Sequence, residues 1–397
     1  MNPTFNIDVA IIGGGIAGLW LLGRLREHGY SALLIESDRF GAGQTLCAQG
    51  IIHGGAKYGL RGYASPTAEA VAGMPDLWRR CLNGEGEIDL RGAALLAEHQ
   101  YLWATQAPTS RLIAFFASKL MRGHVEKIAD GGMDASDYPP ALRHPDFHGA
   151  VYRLDEPIID VATVLTVLAK RYQDAIVRNR GPAILKADGN LTLHHPERPQ
   201  WVIRPSVTVF TAGSGNAGLP WATLQLRPLH MVMARGTHLP GPLYAHCVGA
   251  SEVPRLTVTS HYDASGRLIW YLGGELAEAG VQRDRREQIR ATRRELQALL
   301  PWVDWNAVEF ATFNIQRAEA HQPGGGRPAT LGVFRDGRVI AAWPTKLALA
   351  PLLAEQVEGV LKTLNVQPRQ MDLSLLADWP RPDIGVYPWD REDMEWN

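Results

Sequence analysis

Hydrophobic positions along the chain change rhythm several times, and each change marks an element. Asp8-Val9-Ala10-Ile11-Ile12 is a near-continuous apolar run, the pattern of a strand buried on both faces, and the strand is placed from about Ile7. A glycine turn, Gly13-Gly14-Gly15-Ile16-Ala17-Gly18, follows. Leu19 to His28 then carries apolar residues at helical spacing, and Ala32-Leu33-Leu34-Ile35 is a second apolar run that stops at Glu36. Strand, turn, helix, strand and acid therefore stand in that order.

Further along, residues 66–80 and 108–121 have helical periodicity, and Ala93 to Leu102 reads as a pair of strands. Asp130 to Pro140 is rich in turn formers and predicts a surface loop. Asp160 is placed to cap a helix that ends near Tyr172, and Val207 to Thr211 is a short buried strand. After Leu226 the pattern changes. His230–Ala234, Leu256–Ser260 and Leu268–Leu272 read as strands, with Asp263-Ala264-Ser265-Gly266 as the turn between the last two. Arg285 to Leu300 is an amphipathic helix stopped by Pro301, its arginines on a solvated face. Val339–Ala342 is a last strand, leading through Trp343-Pro344-Thr345-Lys346 into a helix from Leu347 to Leu364. Beyond Val366 an extended tail, rich in proline, tryptophan and acid, is expected to pack on the surface.

These elements predict an α/β chain (α+β overall). A Rossmann-like nucleotide-binding domain is interleaved with an antiparallel-sheet domain. The first takes residues 1–65, 150–224 and 330–366, the second 66–149 and 225–329, and 367–397 is the tail.

Composition narrows the chemistry. A net charge of -1 provides no global field for nucleic acid or an anionic membrane, and no basic stripe is visible. Three scattered cysteines form no CxxC pair, which argues against a metal site and a redox disulfide and fits a reducing compartment, taken as the cytoplasm. No basic and apolar leader precedes the first strand, so no signal peptide is expected. No apolar run approaches the roughly 18 residues of a membrane span.

The opening unit has the parts of a dinucleotide site. Gly13 permits the tight turn, Gly15 lets backbone approach a pyrophosphate, and Gly18 lets the helix lie close to the sheet. Ile16 and Ala17 place N–H groups at the helix start, where the dipole favours phosphate. Glu36, with Ser37 beside it, can accept from two ribose hydroxyls. A second literal GxGxxG, Gly213 to Gly218, is followed by Pro220 and by no terminal acid, so it is not read as a second nucleotide site.

At this point the chain resembles the D-amino-acid-oxidase-like, glycerol-3-phosphate-dehydrogenase-like FAD oxidoreductases. The resemblance rests on the N-terminal fingerprint with Glu36, on Gly43-Gln44-Thr45-Leu46-Cys47-Ala48-Gln49-Gly50-Ile51-Ile52-His53-Gly54-Gly55-Ala56-Lys57-Tyr58, on Thr211-Ala212-Gly213-Ser214-Gly215, and on Pro344-Thr345-Lys346-Leu347. The family's last turn is usually glycine-rich, whereas here it reads Trp-Pro-Thr-Lys. The resemblance implies FAD as cofactor. It puts Gln44, Thr45, Gln49 and Gly50 on the loop that passes the flavin, Ala212 and Gly213 on the segment that closes over it, and Thr345, Lys346 and Leu347 at its pyrimidine edge.

Within that frame His53 is the candidate acid/base or, alternatively, a packed residue that shapes the flavin pocket. Arg317, in Ile315-Gln316-Arg317-Ala318-Glu319, stands loosely where the family carries Gly-x-Arg-Pro. It could hold a carboxylate or phosphate, or pair with Glu319. Lys346 could face negative charge on the flavin or be solvated. His230, His261, Tyr58 and Tyr271 are further pocket candidates, more simply explained as packing or surface, and Cys47 is a candidate for covalent attachment but more simply an inert thiol.

The reading that follows is an FAD-dependent dehydrogenase or oxidase taking hydride from a small polar CH–OH substrate, a 2-hydroxy acid or a polyol phosphate. An amino-acid or secondary-amine oxidase is the alternative on the same fold. A flavoprotein that modifies RNA or works with a protein partner, docked through the tail tryptophans Trp379, Trp389 and Trp396, is the alternative of another class. The electron acceptor, whether oxygen, a quinone or a protein, stays open.

Overall fold

Strand Thr4–Ile12 is the centre of the first of two large sheets. The computed structural model describes residues 4–54, 71–105, 125–130 and 137–397, except 182, 196, 198, 199, 249–252, 327, 329, 370 and 371. The first sheet runs Gly332–Asp336, Val339–Trp343, Trp201–Phe210, Thr4–Ile12, Ala32–Glu36, Ile176–Arg178. Every neighbour pair from Val339–Trp343 onward is parallel. Gly332–Asp336 closes one edge as an antiparallel strand, and Leu191–Leu193 and Ile184–Leu185 add antiparallel strands beside the start of Trp201–Phe210. Strand Thr4–Ile12 begins three residues before the expected start at Ile7. Phe5 and Ile7 are buried while Thr4 and Asn6 are exposed, a short stretch of period-two alternation ahead of the continuous run.

Helices Val161–Arg171 and Ala350–Thr363 each pack on Ile16–Glu27, and all three share the core of this sheet. Trp20 of the first lies 4.5 Å from Trp78 on helix Met74–Leu82. Asp160 caps Val161–Arg171 by accepting from the Thr163 N–H at 3.1 Å. The last helix differs from expectation at its start. Leu347–Leu349 is a 3-10 turn, and the α-helix begins only at Ala350. Pro351 in the first turn has no N–H, so it cannot bond back to Leu347 as a continuing α-helix would require.

The second sheet runs Glu309–Ala320, Leu224–Arg235, Leu268–Gly273, Leu256–Tyr262, Ala245–Cys247, Gln100–Ala104, Ala150–Leu154, Val125–Asp130. It is antiparallel apart from the pair Ala245–Cys247 and Gln100–Ala104. Helix Arg285–Leu299 covers it, burying Ile289, Leu296 and Leu299 against Val232, Trp270 and Phe310. Arg286, Arg290 and Arg294 face solvent, and Asp284 with Glu287 forms a capping box. The turn at Asp263 is a hairpin in which the Asp263 carboxylate accepts from the Ser265 and Arg267 N–H groups at 2.9 Å each.

The two large sheets have separate cores, and three expectations differ in the structure. Helix Met74–Leu82, with Val71, Ile88 and Leu90, packs in the core of the first sheet, so residues 71–90 are not part of the second domain. Ala150–Leu154 is conversely a strand of the second sheet. Residues 93–102 do hold two strands, but the two do not pair with each other. Leu95–Ala97 pairs with Ile158–Ile159, and Gln100–Ala104 joins the second sheet. The predicted helix at 108–121, most of the loop after Asp130, and Tyr58 lie outside the described residues.

The tail does more than coat the surface. Trp379 is buried in the first core and donates its indole N–H to the Arg178 carbonyl at 2.9 Å. Trp389 is buried against Met231, Tyr271 and Ala311 of the second sheet. Arg235 lies 4.0 Å over the Trp396 ring. Each tail tryptophan is thus engaged within the chain itself. Among the described residues no helix is long and apolar enough to cross a membrane.

Candidate active site

A cavity of about 880 Å³ opens between the two sheets. That is near the top of the roughly 300–1,000 Å³ range of ligand pockets. One end is the glycine turn. Gly13 has φ 110°, a conformation that favours glycine, and a Cβ there would stand 2.7 Å from the Ala212 Cα. Gly15 precedes the first helical residue, and the Ile16 N–H donates to the Thr45 hydroxyl at 3.2 Å. The loop following strand Ala32–Glu36 is tied in this way to the phosphate-type turn. Glu36 closes that end. Its carboxylate accepts from the Gly14 N–H at 2.6 Å and from the Ser37 and Asp38 N–H groups at 2.7 and 2.8 Å. Three backbone donors fix an anion at the cavity wall, where it can accept further hydroxyls.

Gly13, Gly15, Ile16, Ala17, Glu36, Ser37, Gln44, Thr45, Gln49, Ala212, Gly213, Thr345, Lys346 and Leu347 all line this one cavity. Two predicted cofactor residues do not. A Cβ on Gly18 would lie 2.0 Å from the Gly13 carbonyl oxygen, so this glycine sets helix-to-turn spacing. Gly50, with φ 72°, is pressed onto Ile159, whose oxygen would be 2.3 Å from a Cβ. It fixes the loop from behind. Gly213–Gly218 forms a 3-10 turn and does not start an α-helix.

Gln44 and Gln49 anchor the loop to the second sheet. Gln44 accepts from the Ala318 N–H at 2.9 Å, and Gln49 donates to the Tyr271 carbonyl at 3.0 Å. Cys47 is buried, and burial pushes its thiol pKa up, which disfavours the thiolate. Trp343 donates its indole N–H to the Gly213 carbonyl at 3.1 Å and so locks the closing segment to the last strand. Thr345 faces the cavity, and its buried hydroxyl oxygen has no hydrogen-bonding partner among the described residues. An orphaned polar atom of this kind beside a large cavity fits a bound polar ring system. The residues present therefore fit a dinucleotide with an attached ring, with Glu36 at one end and Thr345, Lys346 and Leu347 at the other.

His53, Arg317 and Lys346 also reach this cavity. The His53 Nδ1 lies 3.1 Å from a Glu156 carboxylate oxygen, and the other oxygen accepts from the Gly54 N–H at 2.9 Å. His246 stacks on His53 with ring centroids 6.0 Å apart, and its Nδ1 is 2.8 Å from the Thr257 hydroxyl. Arg317 is 3.6 Å from Glu278, also at the cavity. It does not pair with Glu319, which is buried against Arg227 at 2.8 Å. His230, His261 and Tyr271 do not line the cavity. His230 is held by the Gly280 carbonyl and Thr312, each at 3.0 Å. His261 is fully buried, its pKa lowered by burial to about 3, and Tyr271 donates to the Cys47 carbonyl at 2.8 Å.

Glu156, His246, Thr257 and Glu278 were not singled out from sequence. Glu156 sits 103 residues from its partner His53, and neither its spacing nor its neighbours distinguish it from a loop acid.

A parallel sheet with a glycine turn and terminal acid, joined through one cavity to an antiparallel sheet, defines a dinucleotide-dependent oxidoreductase of the flavin type. The chain belongs to the DAO family of FAD dependent oxidoreductases, whose model matches residues 8–341. It is 43% identical to the probable FAD-dependent oxidoreductase PA4991 of Pseudomonas aeruginosa, over 98% of this chain and 99% of that protein. The crystal structure of PA4991 superposes with a TM-score of 0.80 over 98% of this chain and 99% of that chain, at 38% identity. More distant folds include L-alpha-glycerophosphate oxidase from Mycoplasma pneumoniae with FAD bound (TM-score 0.62, 13% identity, 97% of this chain and 98% of that one). Glycine oxidase from Geobacillus kaustophilus is another (TM-score 0.59, 16% identity, 94% and 98%). The protein is an FAD-dependent oxidoreductase.

Proposed function

We propose that this oxidoreductase oxidises a small polar CH–OH substrate carrying an anionic group, a 2-hydroxy acid or a polyol phosphate. The carrying observation is that His53 and Arg317, 264 positions apart in sequence (317 less 53), line the same cavity as the glycine turn and the Thr345–Leu347 edge. When bound, FAD supplies the hydride-accepting chemistry, and the substrate leaves as the carbonyl compound. The chain's own residues do the rest. Arg317 holds the anionic group through its planar fork. His53 takes the hydroxyl proton through its ring nitrogen not engaged by Glu156. Gln44, Gln49 and Trp343 keep the loop and the closing segment in register around the reacting centre. Leu229, Met231 and Ile315 form an apolar wall that limits water.

Glu278 favours a second reading. A carboxylate beside Arg317 repels a plain monoanion but suits a dipolar substrate, such as an amino acid, whose ammonium it can face. The two readings separate by anaerobic flavin bleaching with L-lactate, glycerol 3-phosphate and glycine, followed by His53→Ala. Bleaching by a hydroxy compound, slowed about 10²-fold or more in His53→Ala, is the result expected for a base acting on a hydroxyl. Bleaching by glycine alone, nearly unchanged in His53→Ala, would replace the first reading with the second.

A further inference from the structure

The cluster His53, Glu156, His246 contains more than one candidate base. One ring nitrogen of each histidine and one carboxylate oxygen lie within 4.8 Å of one another. We propose that Glu156 is the positioning residue of this site. It fixes the tautomer and direction of His53, so that Nδ1 carries the proton and Nε2 is left as the acceptor. This inference rests on the reading of His53 as a base.

The geometry carries it in three steps. First, the two Glu156 oxygens hold two successive residues, with His53 Nδ1 at 3.1 Å and the Gly54 N–H at 2.9 Å. Ring and backbone are therefore oriented together, and the ring has little freedom to turn. Secondly, the Glu156 side chain is only 1% exposed. A carboxylate so buried is tolerated when its oxygens are matched by donors, and an ionised carboxylate accepts only. The proton of a neutral His53 therefore belongs on Nδ1. Thirdly, a proton arriving at Nε2 makes an imidazolium beside an anion, so the same contact that selects the tautomer stabilises the protonated product. His246, its Nδ1 2.8 Å from the Thr257 hydroxyl, lies beside the ring in a stacked arrangement with centroids 6.0 Å apart. None of the three residues is a surface group whose placement solvent could supply.

The same three side chains could instead hold a divalent cation, since two imidazoles and a carboxylate are a common ligand set. The test separates these cases. Purified holoprotein labelled with 15N-histidine is recorded by ring-nitrogen NMR, with His53 assigned by its loss in His53→Asn. The expected result is a protonated Nδ1 and an unprotonated Nε2 for neutral His53, reversed or mixed in Glu156→Gln, whose amide offers a donor to the ring. A neutral His53 protonated at Nε2 in the wild type would overturn the proposal, and this arm does not depend on any variant folding. Metal analysis of the same sample showing a stoichiometric divalent ion, lost in Glu156→Gln, would also overturn it.

In the kinetic arm, Glu156→Gln is expected to keep its FAD content and slow limiting bleaching about a hundredfold, yet cost nothing further in a His53→Ala background. Additive losses would overturn the proposal. If His53→Ala itself has no effect, the base reading fails, while the NMR arm still decides whether Glu156 sets the tautomer.

Discussion

The Tyr387 hydroxyl donates to the Asp160 carboxylate at 2.8 Å, joining the C-terminal tail to the cap of helix Val161–Arg171. Burial, the largest influence, and then the neighbouring Asp160 charge hold the Tyr387 phenol well above its ordinary pKa, so it stays a donor at all working pH. Its oxygen also accepts from the Ala162 N–H at 2.9 Å, so one hydroxyl serves the helix start twice. Tyr387→Phe leaves that N–H and one carboxylate lone pair without their partner. A loss of roughly 1–3 kcal/mol is expected, seen as a lower urea midpoint with an unchanged slope. An unchanged midpoint would mean that water replaces the hydroxyl fully and that the tail is not a brace.

Glu358 makes the fold sensitive to acid. Its side chain is 3% exposed and bonds Arg24 at 2.7 Å, His28 at 3.0 Å and Lys362 at 2.8 Å. Burial raises its pKa, but the three cationic donors outweigh this and hold it at about 2, below the ordinary 4.5. A depressed carboxylate contributes stability above its unfolded pKa and loses it as pH falls through the folded value. The wild type should therefore weaken progressively between about pH 4.5 and 2, by on the order of 3 kcal/mol from this group. Glu358→Gln should be less stable at pH 6 and show a flatter decline below pH 4.5. Parallel acid curves for the two proteins would remove Glu358 as the source.

Gly18 sets two opposing effects against each other. An alanine inside a helix is worth about 1 kcal/mol over glycine. Here its Cβ would lie 2.0 Å from the Gly13 oxygen and 2.7 Å from the Thr211 hydroxyl. Gly13 cannot withdraw easily, because its N–H is bonded to the Ile35 carbonyl at 3.0 Å. Overpacking on a fixed backbone costs roughly 1–3 kcal/mol or more, so the clash wins. Gly18→Ala should melt lower and purify with less FAD per chain. A variant with full FAD content and a raised melting temperature would show that the helix can slide away from the turn.

What could be read from sequence was what is encoded locally. The glycine turn, the Asp160 cap and the Asp263 hairpin each depend on residues within a few positions of one another, and each appears where its residue types placed it. Helix Met74–Leu82 shows the limit. Its apolar face announces burial but not the surface that buries it, and Trp78 turned out to donate to the Ala348 carbonyl, 270 residues away. The site divides in the same way. Gly13, Gly15 and Glu36 lie within one supersecondary unit, whereas Glu156 and His246 reach His53 only once the second sheet has formed. An apolar run marks a strand as buried but does not say which strand is its neighbour. The parallel contact of Gln100–Ala104 with Ala245–Cys247 therefore left no trace in the local pattern.

Thr345 should respond with opposite signs in the two states of the protein. Its hydroxyl oxygen is buried at the cavity without a partner among the described residues, so in the cofactor-free chain it is a desolvated polar atom with no return. Thr345→Val keeps the shape and removes that atom. In FAD-stripped protein the change should be neutral or slightly stabilising, by up to about 1 kcal/mol. If the hydroxyl bonds the bound cofactor, the same change should weaken FAD binding by about 0.5–1.5 kcal/mol, a factor of roughly 2 to 13 in Kd. Thermal melts of the stripped proteins and fluorescence titration with FAD measure the two effects separately. Loss of stability without FAD would show a partner within the chain, and unchanged FAD affinity would place the hydroxyl away from the cofactor.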